Sequence, residues 1–235
     1  MKRLVIAIVV LAALGFAAPV AQAAPVLSWV ELGFKSSSDG PGTVYDNPYG
    51  LWAPPSADFS GFSMATGLGS IKYTFSGAGT HYVAGFFDYQ IVEPSAGNGL
   101  FDEYGVLHGA PGAGQSWEID DSFAGLILPH FAAFDDVTPL LSSNALAGPP
   151  MGDVAVALGY AFTLGAGDPA RDVFFTVSLT VPTSAYYLEQ RDPVSGRSIY
   201  FSHDPAGGPV IPEPGTLTLL GLGLAATAWR LRRRG

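Results

Sequence analysis

Apolar residues along the middle of the chain alternate with polar or small ones instead of recurring every three or four positions. That is the period of half-buried strands. Ile71, Tyr73 and Phe75 fall on one side, Lys72, Thr74 and Ser76 on the other. Val173, Phe175, Val177, Leu179 and Val181 alternate with Phe174, Thr176, Ser178 and Thr180. Val154, Val156, Leu158, Tyr160 and Phe162 alternate with Ala155, Ala157, Gly159, Ala161 and Thr163, whose small side chains suit a face crossed closely by another strand or loop. Further strands are predicted over 27–34, 81–91, 116–119, 185–190 and 198–202, punctuated by Gly, Pro, Ser and Asp clusters. About eight short strands predict an all-β fold, an antiparallel, jelly-roll-like β-sandwich. The turn-rich stretches 36–58, 94–114 and 136–152 are expected as long loops, the last with one helical turn over 140–146. No internal repeat or interdomain linker interrupts the pattern.

Composition agrees with a packed chain. Residues are 48% hydrophobic and only 13% charged, which disfavours disorder and charge-rich helical bundles. With Cys 0, disulfides, thiolate metal sites and a cysteine nucleophile are excluded.

Both ends depart from this pattern. Lys2 and Arg3 precede an apolar run over 4–18 and then Ala21, Gln22 and Ala23, which predicts a secretory signal peptide over 1–23. The secreted domain is then expected over 24–204, with a linker over 205–211. At the other end, Pro212, Glu213 and Pro214 precede an apolar run over 215–229 and a basic cluster of Arg230, Arg232, Arg233 and Arg234. The run predicts a short transmembrane helix, with the arginines kept in the cytoplasm by the positive-inside rule. This tripartite tail, over 212–235, resembles the PEP-CTERM sorting signal. The resemblance implies recognition by exosortase, a membrane transpeptidase-like enzyme of bacteria that make extracellular polysaccharide. It also implies a transient stay in the cytoplasmic membrane before transfer to the cell envelope or extracellular matrix. Within residues 60–204, Gly67, Gly69, Ile71, Phe86, Phe87, Asp88, Trp117, Glu118, Asp120, Gly152, Asp153, Leu158, Gly159, Asp192, Pro193, Tyr200 and Phe201 resemble an ectodomain that recurs with this tail. That second resemblance implies no activity.

Outside the two end signals, residues 24–211 hold five Lys and Arg against nineteen Asp and Glu, a formal charge of five minus nineteen, or −14. Such a field repels phosphate backbones, so no nucleic-acid partner is expected. Glu118, Asp120 and Asp121 are hard oxygen ligands that would suit a structural Ca²⁺, with a solvated acidic rim as the plainer reading. The acidic groups also leave open a two-carboxylate glycosidase. His81, His108, His130 and His203 follow no metal-ligand spacing and read as isolated surface or strand residues. Residues 114–118 lack the second glycine of a nucleophile elbow, and 165–170 read as a hairpin turn in place of a dinucleotide fingerprint. Tyr45, Tyr49 and Trp52 lie in a turn-rich stretch and would stack on sugar rings of an exopolysaccharide. The expectation is therefore a non-enzymatic exported surface or matrix protein, with carbohydrate binding as the alternative.

Overall fold

The computed structural model describes residues 26–40, 43–47, 54–92, 103–122, 125–148 and 152–205. The expected signal peptide and the sorting tail lie outside them. The described strands form two sheets. Sheet A runs, from edge to edge, β2 (Val44–Asn47), β1 (Val26–Ser36), β5 (Gly79–Val92), β9 (Val154–Leu164), β7 (Gln115–Asp121) and β8 (Ser143–Asn144). Sheet B runs β3 (Ala57–Ser63), β4 (Leu68–Phe75), β10 (Arg171–Ser178), β12 (Ser198–Asp204), β11 (Tyr186–Arg191) and β6 (Tyr104–Gly109). Every pairing is antiparallel except the two-residue contact of β8 with β7. The all-β sandwich expected from the alternation is present.

The core follows from the period of two. Val83, Phe87, Tyr89 and Ile91 of β5 and Val154, Val156, Leu158, Tyr160 and Phe162 of β9 point inward from sheet A. Ile71, Tyr73, Phe75, Val173, Phe175, Val177, Leu188, Ile199 and Phe201 meet them from sheet B. Aromatic contacts bind the layers: the rings of Phe87 and Phe201 lie 5.6 Å apart, and Phe34 meets Phe175 at 6.1 Å.

The outer face of sheet A has its own cover. Helix α1 (Ile127–Ala133) lays Ile127 and Phe131 over Ala84, Phe86, Ala155 and Ala157, and Phe134 and Leu140 complete this second cluster. A Cβ on Gly159 would stand 2.5 Å from the Phe134 ring, so glycine is what lets the cover approach. The small-residue face of β9 is thus crossed closely, as its sequence predicted. Lys35, outward on β1, reaches across to donate to the Ala132 carbonyl at 2.6 Å and so satisfies an orphan acceptor at the helix C-terminus.

Several expectations are corrected. Twelve strands are described instead of about eight, because β2, β6 and β8 lie in stretches read as loops and β3, which starts in one, was not read as a strand. β6 hid because its inward positions include Gly105 and Gly109, which blank out the alternation. β3 is an edge strand with a register shift between Asp58 and Gly61. Residues 140–146 hold no helical turn, since Ser143 and Asn144 are extended beside β7. The helix lies earlier, where Ile127, Phe131 and Phe134 recur at helical spacing. Residues 165–170 are an arch from sheet A to sheet B and not a hairpin, because β9 and β10 lie in different sheets.

Candidate functional site

The strands run parallel to the long axis of the sandwich, so each end is a row of strand termini and turns. At one end the register brings carboxylates together. Asp88 on β5 stands directly opposite Glu31 on β1, both on the outer face of sheet A. Asp121 closes β7 opposite Val154, and Asp153 immediately precedes β9. The Ser122 hydroxyl donates to Asp153 Oδ2 at 2.8 Å. Gly152 makes room for Asp121, whose Oδ2 would lie 2.4 Å from a Cβ there. Burial, followed by the charges of Asp153 and Glu31, pushes Asp88 up to about 7, against a hydrogen bond from Ser122. Burial also raises Asp153, with Asp121 adding to it.

A second buried carboxyl closes the same end between the sheets. Glu103 forms a lone bridge with Gly152 and accepts from the Ile91 amide at 2.8 Å. The Gln190 side-chain amide donates to both Glu103 Oε2 and the Tyr89 carbonyl. Burial drives Glu103 up to about 8, although the hydrogen bonds from the Ile91 amide and Gln190 pull the other way. A carboxyl held protonated near neutral pH is the raw material of a general acid. Here both oxygens of Glu103 are already engaged by the protein's own donors, and the arrangement works as a plug.

Glu118, Asp120 and Asp121 are not gathered into a cation site. Glu118 is almost wholly buried: its Oε1 lies 2.7 Å from His130 Nδ1, and its Oε2 accepts from the Leu141 amide. Asp120 accepts from the Asp121 and Leu126 amides. These oxygens are spent fastening α1 and the segment after it to sheet A. Among the described residues no group of three or more His, Asp or Glu stands ready to hold a metal ion.

The histidines divide. His130 and His108 each pair with a glutamate at 2.7 Å, Glu118 and Glu189 respectively. His81 is half-buried and meets the Gly77 carbonyl at 3.1 Å. His203 is a strand residue, as expected, and points inward from β12 among Tyr160, Phe175 and Tyr186. Neither ring nitrogen has a hydrogen-bond partner, and burial lowers its pKa to about 3.

Of the aromatic residues proposed to stack on sugars, Tyr49 and Trp52 lie outside the described residues. Tyr45 sits on β2 opposite Phe34, in a strand and not a loop. Among the described residues, a further group of aromatic rings lies on sheet B. On the outer face of sheet B, Tyr187 and His108 stack at 4.5 Å and Tyr200 meets Tyr187 edge-on at 5.9 Å. All three are half-buried. Glu189 beside them takes the Ser198 hydroxyl at 2.5 Å. The signal that could have found them is the outward parity of Tyr187 against the inward Tyr186 and Leu188.

Residues 210–234 match the family model of the PEP-CTERM protein-sorting motif. The match covers Pro212, Glu213, Pro214 and the four arginines, and it bears out the resemblance read from those residues. It indicates sorting by exosortase. No curated protein and no solved structure matches the chain. Among the described residues, no helix is long and apolar enough to cross a membrane.

Proposed function

We propose that this chain, with a PEP-CTERM protein-sorting motif at residues 210–234, is a non-enzymatic surface or extracellular-matrix protein. Its β-sandwich is the exported cargo, and exosortase acts on the tail. The motif is the observation that carries this reading. The apolar run over 215–229 holds the chain in the cytoplasmic membrane with its arginines inside until processing. Intact-mass analysis of the protein from its host, with and without exosortase, tests it. A species beginning near residue 24 and shortened near 212 only when exosortase is present is the expected result. An unshortened chain in both strains would reduce the tail to a permanent anchor.

One observation favours polysaccharide binding as a second reading: Tyr200, Tyr187 and His108 stand side by side on an uncovered sheet face, beside hydroxyls and the Glu189 carboxylate. Aromatic rings flanked by hydrogen-bonding groups are the usual means of holding a sugar. Pull-down on the host's exopolysaccharide should weaken with Tyr200→Ala. Weakening instead with Trp52→Ala alone would return the site to the loop.

A further inference from the structure

Five Lys and Arg stand against nineteen Asp and Glu over residues 24–211, so each cation in this domain has carboxylates in excess to pair with. Three of the five are engaged within the fold. Lys35 donates to the Ala132 carbonyl, Lys72 pairs with Asp58 at 3.6 Å, and Arg171 donates to the Tyr160 hydroxyl with its guanidinium 4.9 Å from the Phe162 ring centre. Arg197 is half-buried in the turn between β11 and β12. Arg191 is different: it is exposed at the end of β11, with no side-chain hydrogen bond or ion pair to any described residue. Register fixes what surrounds it. Tyr187, Glu189 and Arg191 share the outward parity of β11, because Leu188 and Gln190 turn inward. Arg191 stands opposite Tyr104 of β6 and Ser198 of β12, Glu189 opposite Tyr200, and Tyr187 opposite His108. With strands about 4.8 Å apart and alternate residues about 6.8 Å along each strand, these rings frame Glu189 and Arg191 within a patch of about 10 by 14 Å. The two charges are unequal. Glu189 is almost wholly buried, and its two oxygens meet His108 Nε2 at 2.7 Å and the Ser198 hydroxyl at 2.5 Å. Among the described residues the patch therefore presents a free cation between aromatic rings.

We propose that this face of sheet B takes a carboxylate-bearing glycan, a polymer of uronic acid, with Tyr187 and Tyr200 stacking on its sugar rings and the Arg191 guanidinium gripping a sugar carboxylate. This rests on the polysaccharide reading above and names the class of sugar. A guanidinium is a planar fork of donors that meets both oxygens of a carboxylate, and such charge-assisted pairs are about twice as strong as neutral hydrogen bonds. A neutral sugar offers that fork only hydroxyls, and an amine-bearing sugar is repelled by it. The carboxylates elsewhere on the domain oppose a polyanion at long range, where salt screens them beyond a Debye length of about 8 Å, whereas the bidentate pair acts at contact. β11 is paired on both sides, with β12 and β6, so the spacing of rings and guanidinium is set before any sugar arrives.

Retention on beads carrying polygalacturonate, its fully methyl-esterified form or dextran tests this, because esterification removes the charge and keeps the sugar backbone. The full chain is purified in detergent from cells lacking exosortase, and circular dichroism verifies the fold of each variant. Polygalacturonate should hold the unaltered chain about tenfold more tightly than either neutral polymer. Arg191→Gln should erase that preference and leave the weaker binding to the ester in place. Arg191→Lys, which keeps the charge without the fork, should fall between. Tyr200→Ala should weaken binding to acid and ester alike, and Lys72→Gln, on β4 of the same sheet, should change neither. Equal retention of the unaltered chain on acid and ester would overturn the choice of sugar and leave the polysaccharide reading standing. A preference that survives Arg191→Gln would overturn the site. No retention on any of the three polymers overturns the proposal, and the polysaccharide reading falls with it only if the host's exopolysaccharide is not retained either.

Discussion

The outer faces of the two sheets share one pleat and have opposite fates. On sheet A the outward positions of β5 and β9 include Ala84, Phe86, Ala155, Ala157 and Gly159, and α1 with Phe134 buries them. On sheet B the outward positions include Lys72, Thr176, Ser202, Tyr200, Tyr187 and His108, and many stay half in water. A strand that is apolar or small on both sides needs a third layer, whereas one that alternates with hydroxyls and charges does not. Among the described residues the sandwich therefore has one lidded face and one open face. Its energetics should differ between them.

The largest effect is expected in the lid. Phe134→Ala removes a buried ring from above Gly159 and should cost about 3–5 kcal/mol in urea denaturation. A loss near zero would mean that the lid contributes no stability and the faces are equivalent. Next come two pH effects of opposite sign. Asp88, on the lidded face, is raised to about 7 from an ordinary 3.8, so its contribution is present below about pH 4 and lost as pH rises through 7. Asp88→Asn should leave stability at pH 4 nearly unchanged and raise it at pH 8 by roughly 2–4 kcal/mol. His203, inward from sheet B, is lowered to about 3 from 6.5, so its contribution is full above 6.5 and lost as pH falls toward 3. Thermal melts of His203→Leu should lack that acid-side decline, and a variant that kept it would place the titrating group elsewhere. The smallest effect belongs to the open face: Tyr187→Ala, which breaks the stack on His108, should cost only about 0.5–1.5 kcal/mol by double-mutant cycle. A loss as large as that of Phe134→Ala would show that this face too is covered.

Much of this was legible from the residues, because a period of two needs no partner to be seen. The inward rows of β4, β5, β9, β10 and β12 follow directly from alternation, and the run of small residues on β9 announced a close cover. The cover itself did not announce its position. Pro129 and the short spacing of Ile127, Phe131 and Phe134 disguise a seven-residue helix within turn-like sequence. The carboxylate end was only half legible. Asp121 stood out beside Glu118 and Asp120, but Glu31 meets Asp88 through the register of β1 on β5, a contact across more than fifty residues that no local pattern encodes. His203 lies one residue past the alternation read over 198–202, yet it shares the inward parity of Ile199 and Phe201.

The position of β12 has a consequence for the order of events. It is the last of the described strands, yet it lies in the middle of sheet B, between β10 and β11. Until residue 204 is available, sheet B exists as two unjoined halves, and its non-local pairings keep folding slow. A chain threaded across a membrane from its first residue would therefore complete its fold only as the sorting segment arrives behind it. The same few residues that finish the sheet lead directly into the sorting motif, so in an exported chain completion of the domain and arrival of the motif would coincide.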